Sequence, residues 1–178
     1  QIVRSCTQGE TRCDAQASGR FRQRAGCGQL FAKTQPSKGK VEARSEHTNW
    51  QCDLIDSQQM DTKENDGFQY VLVCVNVFSR VAYAEALKAK TPDVVAAGFK
   101  RIQAIYPEVV ATDDGQEFKG EVDELLDEKG VGHRVKNKQD INGIAVVDRV
   151  IATIKTGIFK QLANKDSTKW LSVLDKVV

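Results

Sequence analysis

Residues 111–118 read "ATDDGQEF": directly after the apolar pair Val109 and Val110, the chain presents two carboxylates at the end of an apolar strand and then a glycine. Taken alone, Asp113 or Asp114 needs no larger role than ending the strand. Either could turn the chain at Gly115 and cap the helix expected in "EFKGEVDELLDEKG". Whether the pair does more depends on the other acidic groups the fold brings to it.

The 178-residue chain is long enough for one domain with a substantial core, and its 40% hydrophobic and 28% charged residues are those of a globular protein. No apolar run approaches the ~20 residues of a membrane-spanning helix, and the N-terminus lacks the charged-then-apolar order of a secretory signal. The expectation is therefore a soluble intracellular protein with no membrane partner. The sequence opens without methionine and stops inside an expected helix, so it reads as a C-terminally truncated piece. The five cysteines (6, 13, 27, 52 and 74) form no Cys-x-x-Cys pair, and His47 and His133 stand apart, which argues against a structural zinc site. Cys52 and Cys74 lie in apolar, strand-like segments and are expected to pack as small core residues.

The net charge of +2 conceals three blocks. Residues 1–46 carry a net +5, residues 47–128 a net −9, and residues 129–178 a net +6. An acidic centre between basic ends suits a cation site beside a polyanion-binding surface, although scattered solvated charge gives the same totals. Residues 1–46 are rich in Gln, Gly, Ser and Arg and show no sustained periodicity, so they are expected to form a basic, disordered arm. The folded core is expected over 47–178.

Within that core, "NWQCDLIDSQQ", "FQYVLVCVNVFS" and "RVAYAEALKAK" read as three successive strands, and the second is apolar enough to be covered on both faces. Asp66-Gly67 marks the turn between the first two. Thr91-Pro92-Asp93 opens a helix carrying Val94, Val95, Ala97, Phe99, Ile102 and Ile105. "EVVATD" is a fourth strand, "FKGEVDELLDEKG" a helix ending at Gly130, and "VGHRVK" a short fifth strand. A long helix is expected to start near Asp140 or Asn142, with Ile144, Val147, Ile151, Ile154 and Ile158 at helical spacing, and "STKWLSVLDKVV" begins another. The order predicts an α/β fold, a five-stranded mixed sheet with helices on both faces.

Three carboxylates then stand out. Asp53 lies within the first strand on the face opposite Cys52 and Leu54, where an ionised group is costly unless paired, metal-bound or at an open edge. Asp113 ends the fourth strand. Asp148 lies beside the apolar stripe of the long helix. If the first and fourth strands are neighbours, Asp53 and Asp113 face one cleft that the helix bearing Asp148 can close. Three converging carboxylates repel one another, and hard divalent cations with oxygen ligands relieve that repulsion. A pair of such ions serves phosphoryl transfer.

In order and spacing, "WQCDLID", "FQYVLVCVNVFSRVAYAEAL", "VVATDDGQEF" and "NGIAVVDRVIATIK" resemble the catalytic core of retroviral and retrotransposon integrases, from about Asn49 to Lys155. The resemblance implies a ribonuclease H-like fold, two bound Mg²⁺ or Mn²⁺ ions, hydrolytic trimming of element DNA ends and joining of the exposed 3′-hydroxyl to target DNA. Asp53 in Trp-Gln-x-Asp matches the family's first ligand, and Asp113 in Thr-Asp-x-Gly-x-x-Phe matches the second. The third ligand of the family is a glutamate, where this sequence has Asp148, one carbon–carbon bond (about 1.5 Å) shorter. The sequence also lacks the family's His-His-Cys-Cys zinc module ahead of the core. Two alternatives stay open beside a working all-aspartate enzyme: a decayed nucleic-acid-binding copy, and a ribonuclease H-like nuclease that cuts without joining. The implied partners are element-end and target DNA and further copies of the chain, with action in the nucleus on host DNA. Lys155, two turns after Asp148, and Lys136 and Lys138, before the long helix, are candidate phosphate contacts. Gln116 and Asn142 are candidates for positioning substrate or for turns and caps, Arg149 for an ion pair, and His133 for a structural role.

Overall fold

The computed structural model describes residues 41–60, 63–102, 106–137, 142–164 and 167–178. Most of the basic arm, together with Ile105, Lys138 and Asp140, lies outside the described residues. The chain divides into two units, Gln1–Pro36 and Ser37–Val178, and the described residues all fall in the second.

Five strands form one sheet: β1 (Asn49–Asp56), β2 (Tyr70–Asn76), β3 (Ala82–Leu87), β4 (Val109–Thr112) and β5 (Gly132–Val135), in spatial order β3-β2-β1-β4-β5. The β1–β2 and β2–β3 pairs are antiparallel, and β1–β4 and β4–β5 are parallel. Every residue of β2 is buried, which its run "YVLVCVN" foreshadows: a strand with helices over both faces has no side on which to place a charge. At the β1–β2 turn Asp66 and Gly67 both adopt positive φ, 52° and 79°.

Alternation along the strands separates two cores. On one face Trp50, Cys52, Leu72, Cys74 and Val110 pack against α1 (Pro92–Ile102) and α2 (Glu121–Glu128) through Val95, Phe99, Val122, Leu125 and Leu126. On the other, Ile55, Val71, Val73, Val75 and Ala111 pack against α3 (Ala145–Ala163) and α4 (Leu171–Val177) through Val147, Ile151, Ile154, Ile158, Val173 and Leu174. Cys52 and Cys74, opposite each other in register, are free and buried, as core residues should be.

Two helix starts differ from expectation. The segment after "ATDDG" is not one helix: a 3₁₀ turn at Gln116–Phe118 seats Phe118 in the core, and α2 begins only at Glu121, after Gly120 at φ 63°. That left-handed residue, a conformation glycine adopts without steric cost, breaks the run. The long helix begins at Ala145 rather than near Asp140 or Asn142, with a turn closed by Ala145 N–H donating to Asn142 O at 3.1 Å. Its start is set by a partner distant in sequence, described below. Among the described residues no helix is long and apolar enough to cross a membrane.

Candidate active site

Strands β1 and β4 pair in parallel, with Asn49, Trp50 and Gln51 opposite Val109, Val110 and Ala111. The same register, carried two residues past the last pair, sets Asp53 opposite Asp113. Period-two alternation then places both on the face of Gln51, Ile55 and Ala111, the face that α3 covers. Parallel pairing thus brings two carboxylates, sixty positions apart in sequence, to the same open end of the sheet.

The third carboxylate arrives through Gln51. This residue is fully buried, and its amide holds the first turn of α3 from both sides. Nε2 donates to Gly143 O at 2.9 Å, and Oε1 accepts from Val146 and Val147 N–H at 2.9 and 3.1 Å. The helix has no side-chain cap of its own at Ile144, so a strand residue satisfies backbone donors that a local Ser, Thr, Asn or Asp would normally take. Gln51 lies two residues before Asp53 on the same strand face, and the turn it clamps carries Asp148. The negative charge of Asp148 also lies near the positive end of the helix dipole.

The electrostatics record this convergence. The Asp53 carboxyl is pushed from the ordinary 3.8 up to about 6, first by burial and then by the negative charges of Asp113, Asp148 and Glu117, against the lowering effect of its hydrogen bond from Leu54 N–H at 2.7 Å. Asp113 is held in a tight local turn, its Oδ1 accepting from Gly115 N–H at 3.1 Å. Glu117, which sequence reading did not single out, folds back over the same glycine. A Cβ on Gly115 would lie 2.7 Å from the Glu117 carboxyl and 3.0 Å from Asp113 Oδ1. A side chain at position 115 would therefore push the two acidic groups apart. Asp114 instead pairs with Lys119 at 2.8 Å on the exposed side.

Among the described residues, no three His, Cys, Asp or Glu side chains are drawn together as a ready-made metal cage. The donor set nevertheless suits a hard divalent ion: all its atoms are oxygens, and the charges of Asp113, Asp148 and Glu117 all oppose ionisation of Asp53. Cation binding would relieve that opposition.

A pH dependence follows. A carboxyl with a pKa near 6 folded and 3.8 unfolded holds its proton more tightly in the folded chain. The associated stability is fully present below about pH 4 and is lost as the pH rises through 6. The expected loss for the metal-free chain is on the order of 2 kcal/mol. Asp53→Asn should flatten the melting profile between these limits and raise the neutral melting temperature by roughly 5 °C. Identical pH profiles for the two proteins would contradict the origin assigned to the shift.

The basic candidates lie around this centre. Lys155 is exposed on α3, in a solvent-facing row with Asp148 and Ala152, while Val147, Ile151 and Ile154 face the core. Lys136 follows β5 and is tied to the strand bearing Asp113 by its N–H donating to Thr112 O at 2.8 Å. Lys138 lies outside the described residues. Arg149, with Asn142, Val146 and Arg80, lines a cavity of about 780 Å³ beside α3. Gln116 is exposed and opens the 3₁₀ turn.

The strand order and the helices on both faces define a ribonuclease H-like α/β fold. No protein-family model matches the chain. It is 35% identical over 121 residues to a transposon-derived protein of Caenorhabditis elegans, a match covering 65% of this chain and 41% of that protein. Its fold is similar to a chain in the simian T-cell lymphotropic virus intasome in complex with PP2A regulatory subunit B56 gamma, with a TM-score of 0.68, 16% identity and coverage of 81% of this chain and 51% of the other. It is also similar to the catalytic core domain of BIV integrase, with a TM-score of 0.57, 18% identity and coverage of 74% and 80%. The chain thus spans about two fifths of the curated relative and half of the intasome chain. Its fold is thus shared with these retroviral chains, and its sequence is similar to that of a transposon-derived protein.

Proposed function

We propose that this chain is the catalytic core of a retroelement integrase, which trims element DNA ends and joins them to target DNA, in the nucleus when the target is host DNA. The observation that supports this reading is geometric: the parallel β1–β4 register carries Asp53 and Asp113 to one end of the sheet, and Gln51, two residues before Asp53, clamps the helix turn that bears Asp148. In this reading Asp53, Asp113 and Asp148 hold two Mg²⁺ or Mn²⁺ ions. When bound, such ions stabilise charge on the phosphate and supply an activated oxygen nucleophile at neutral pH. The two strands fix two of the carboxylates on a rigid sheet, and the helix clamped by Gln51 brings the third. Lys155, exposed two turns beyond Asp148, is suited to bind the DNA backbone, as is Lys136 just after β5; Lys138, outside the described residues, belongs to the same reading by its charge alone. Joining two element ends to one target calls for more than one copy of the core, so self-association belongs to the same reading.

The test is a joining assay with manganese and a library of labelled duplexes with recessed 3′-hydroxyl ends, read by sequencing the joined products. Cleavage without joining would identify a nuclease. Salt-sensitive binding without turnover would identify a noncatalytic remnant. The third ligand has its own test. Asp148 is exposed at the rim, so the longer Asp148→Glu side chain has room to reach inward, and turnover is expected to be kept or increased. Complete loss in a folded Asp148→Glu protein would show that the site is built around the shorter arm or that Asp148 has another role.

A further inference from the structure

Asp113 is buttressed from behind by side chains that the proposed chemistry does not use. Thr112, the last residue of β4, is fully buried, and its hydroxyl donates to the main-chain carbonyl of Asp113 at 2.9 Å. On its other side that hydroxyl lies 2.8 Å from His133 Nε2, on β5. His133 Nδ1 in turn lies 2.5 Å from Asp123 Oδ1, in the first turn of α2. The Asp123 carboxylate accepts from Nδ1–H, and the Thr112 hydroxyl lies within hydrogen-bond distance of both the imidazole Nε2 and the Asp113 carbonyl. A line of hydrogen-bonding groups therefore runs from Asp123 through His133 and Thr112 to the main chain of Asp113.

The order Thr-His-Asp resembles that of a nucleophile triad, but with 0% of Thr112 exposed no substrate reaches its oxygen. The hydroxyl is spent on backbone. What the chain of bonds can do is fix one peptide plane. Asp113 is the first residue past the strand, with no ladder partner of its own: the last parallel pair is Thr112 with Val135. Its carboxylate is oriented by Gly115 N–H and its carbonyl by Thr112. Removing the second restraint frees the residue to rotate about the end of β4.

We propose that Asp123, His133 and Thr112 form a positioning relay that sets the direction of the Asp113 carboxylate. The inference rests on the reading of Asp113 as a metal ligand. Outer partners of metal-binding carboxylates typically affect affinity by about 10- to 100-fold. The relay acts through backbone rather than on the carboxylate itself, so the expected effect lies at the lower end.

The experiment measures Mn²⁺ affinity of the full 178-residue chain by the electron paramagnetic resonance signal of the free ion, with melting temperature recorded for each variant. Asp113→Asn serves as reference and is expected to lose tight binding. If it binds as the unsubstituted chain does, the metal-site reading fails, independently of the relay. Thr112→Val and His133→Ala are each expected to weaken binding about tenfold. Thr112→Ser, which keeps the hydroxyl, should retain affinity, and the Thr112→Val/His133→Ala double variant should be no weaker than either single one, because both cut the same line. Asp123→Ala, a change at a half-exposed position that the fold should tolerate, is expected to weaken binding severalfold. The relay is overturned if Asp113→Asn loses binding while Asp123→Ala and the other folded relay variants keep full affinity. It is equally overturned if the two single losses add in the double variant. A purely structural role for His133 would lower the melting temperature and leave Mn²⁺ affinity unchanged in the folded protein.

Discussion

Asp113→Asn is expected to reduce DNA cleavage and joining by roughly a thousandfold or more, because several kcal/mol of metal-borne charge stabilisation in the transition state go with the ligand. The fold should be unharmed. The asparagine amide oxygen can accept from Gly115 N–H where Asp113 Oδ1 does now at 3.1 Å, and the Thr112 hydroxyl still reaches the residue's carbonyl. Loss of one negative charge also relieves part of the repulsion on the Asp53 carboxylate, so the metal-free variant should be no less stable than the parent at neutral pH. Activity and stability are thus expected to move independently, and that separation distinguishes a ligand from a strand-end residue. Turnover equal to that of the parent, measured on the same labelled ends, would remove Asp113 from the site.

The second large effect is expected from a residue that touches no substrate. Gln51→Leu keeps the volume of a buried side chain but strands Gly143 C=O and the N–H groups of Val146 and Val147. Buried polar groups left without partners cost about 1–3 kcal/mol each. Partial hydration at the helix end reduces the total, so the expected loss is on the order of 3 kcal/mol, a fall of roughly 10 °C in melting temperature. Catalysis should fall further than stability alone requires. The turn that Gln51 clamps carries Asp148, and a displacement of about 1 Å at a reacting centre can cost about a hundredfold in rate. Amide hydrogen exchange at Val146 and Val147 reads the clamp directly and should accelerate in Gln51→Leu while the β2 amides stay protected. Unchanged protection at those two amides would mean that α3 starts where it does without Gln51.

Much of this architecture is legible in the chain. The six-residue apolar run Tyr70–Val75 of β2 has nowhere to go but the middle of a covered sheet, and Val147, Ile151, Ile154 and Ile158 at helical spacing can only face a core. Asp53 is conspicuous because it interrupts an apolar strand, and Asp113 because it ends one beside Gly115. These features are local: period, run length and the position of a charge relative to both. Where the sequence misleads, the deciding partner is distant. Asn142 suggests a helix start, yet α3 begins at Ala145 because the donors of its first turn are taken by a side chain on β1, more than ninety positions earlier in the chain.

By itself, then, the sequence determined the inventory: which segments become strands and helices, which faces are apolar, and which three aspartates stand beside apolar segments as candidates for a site. The tertiary structure decided their relations. It set β4 parallel to β1 in the register that brings Asp113 opposite Asp53, bent Glu117 back over Gly115, and joined Asp123, His133 and Thr112 behind the strand end. The physical reason is that periodicity reports the side of an element on which a residue lies but not what lies across from it. Hydrogen bonds and Coulomb forces between distant segments depend on separations of a few ångströms that exist only once the sheet has closed.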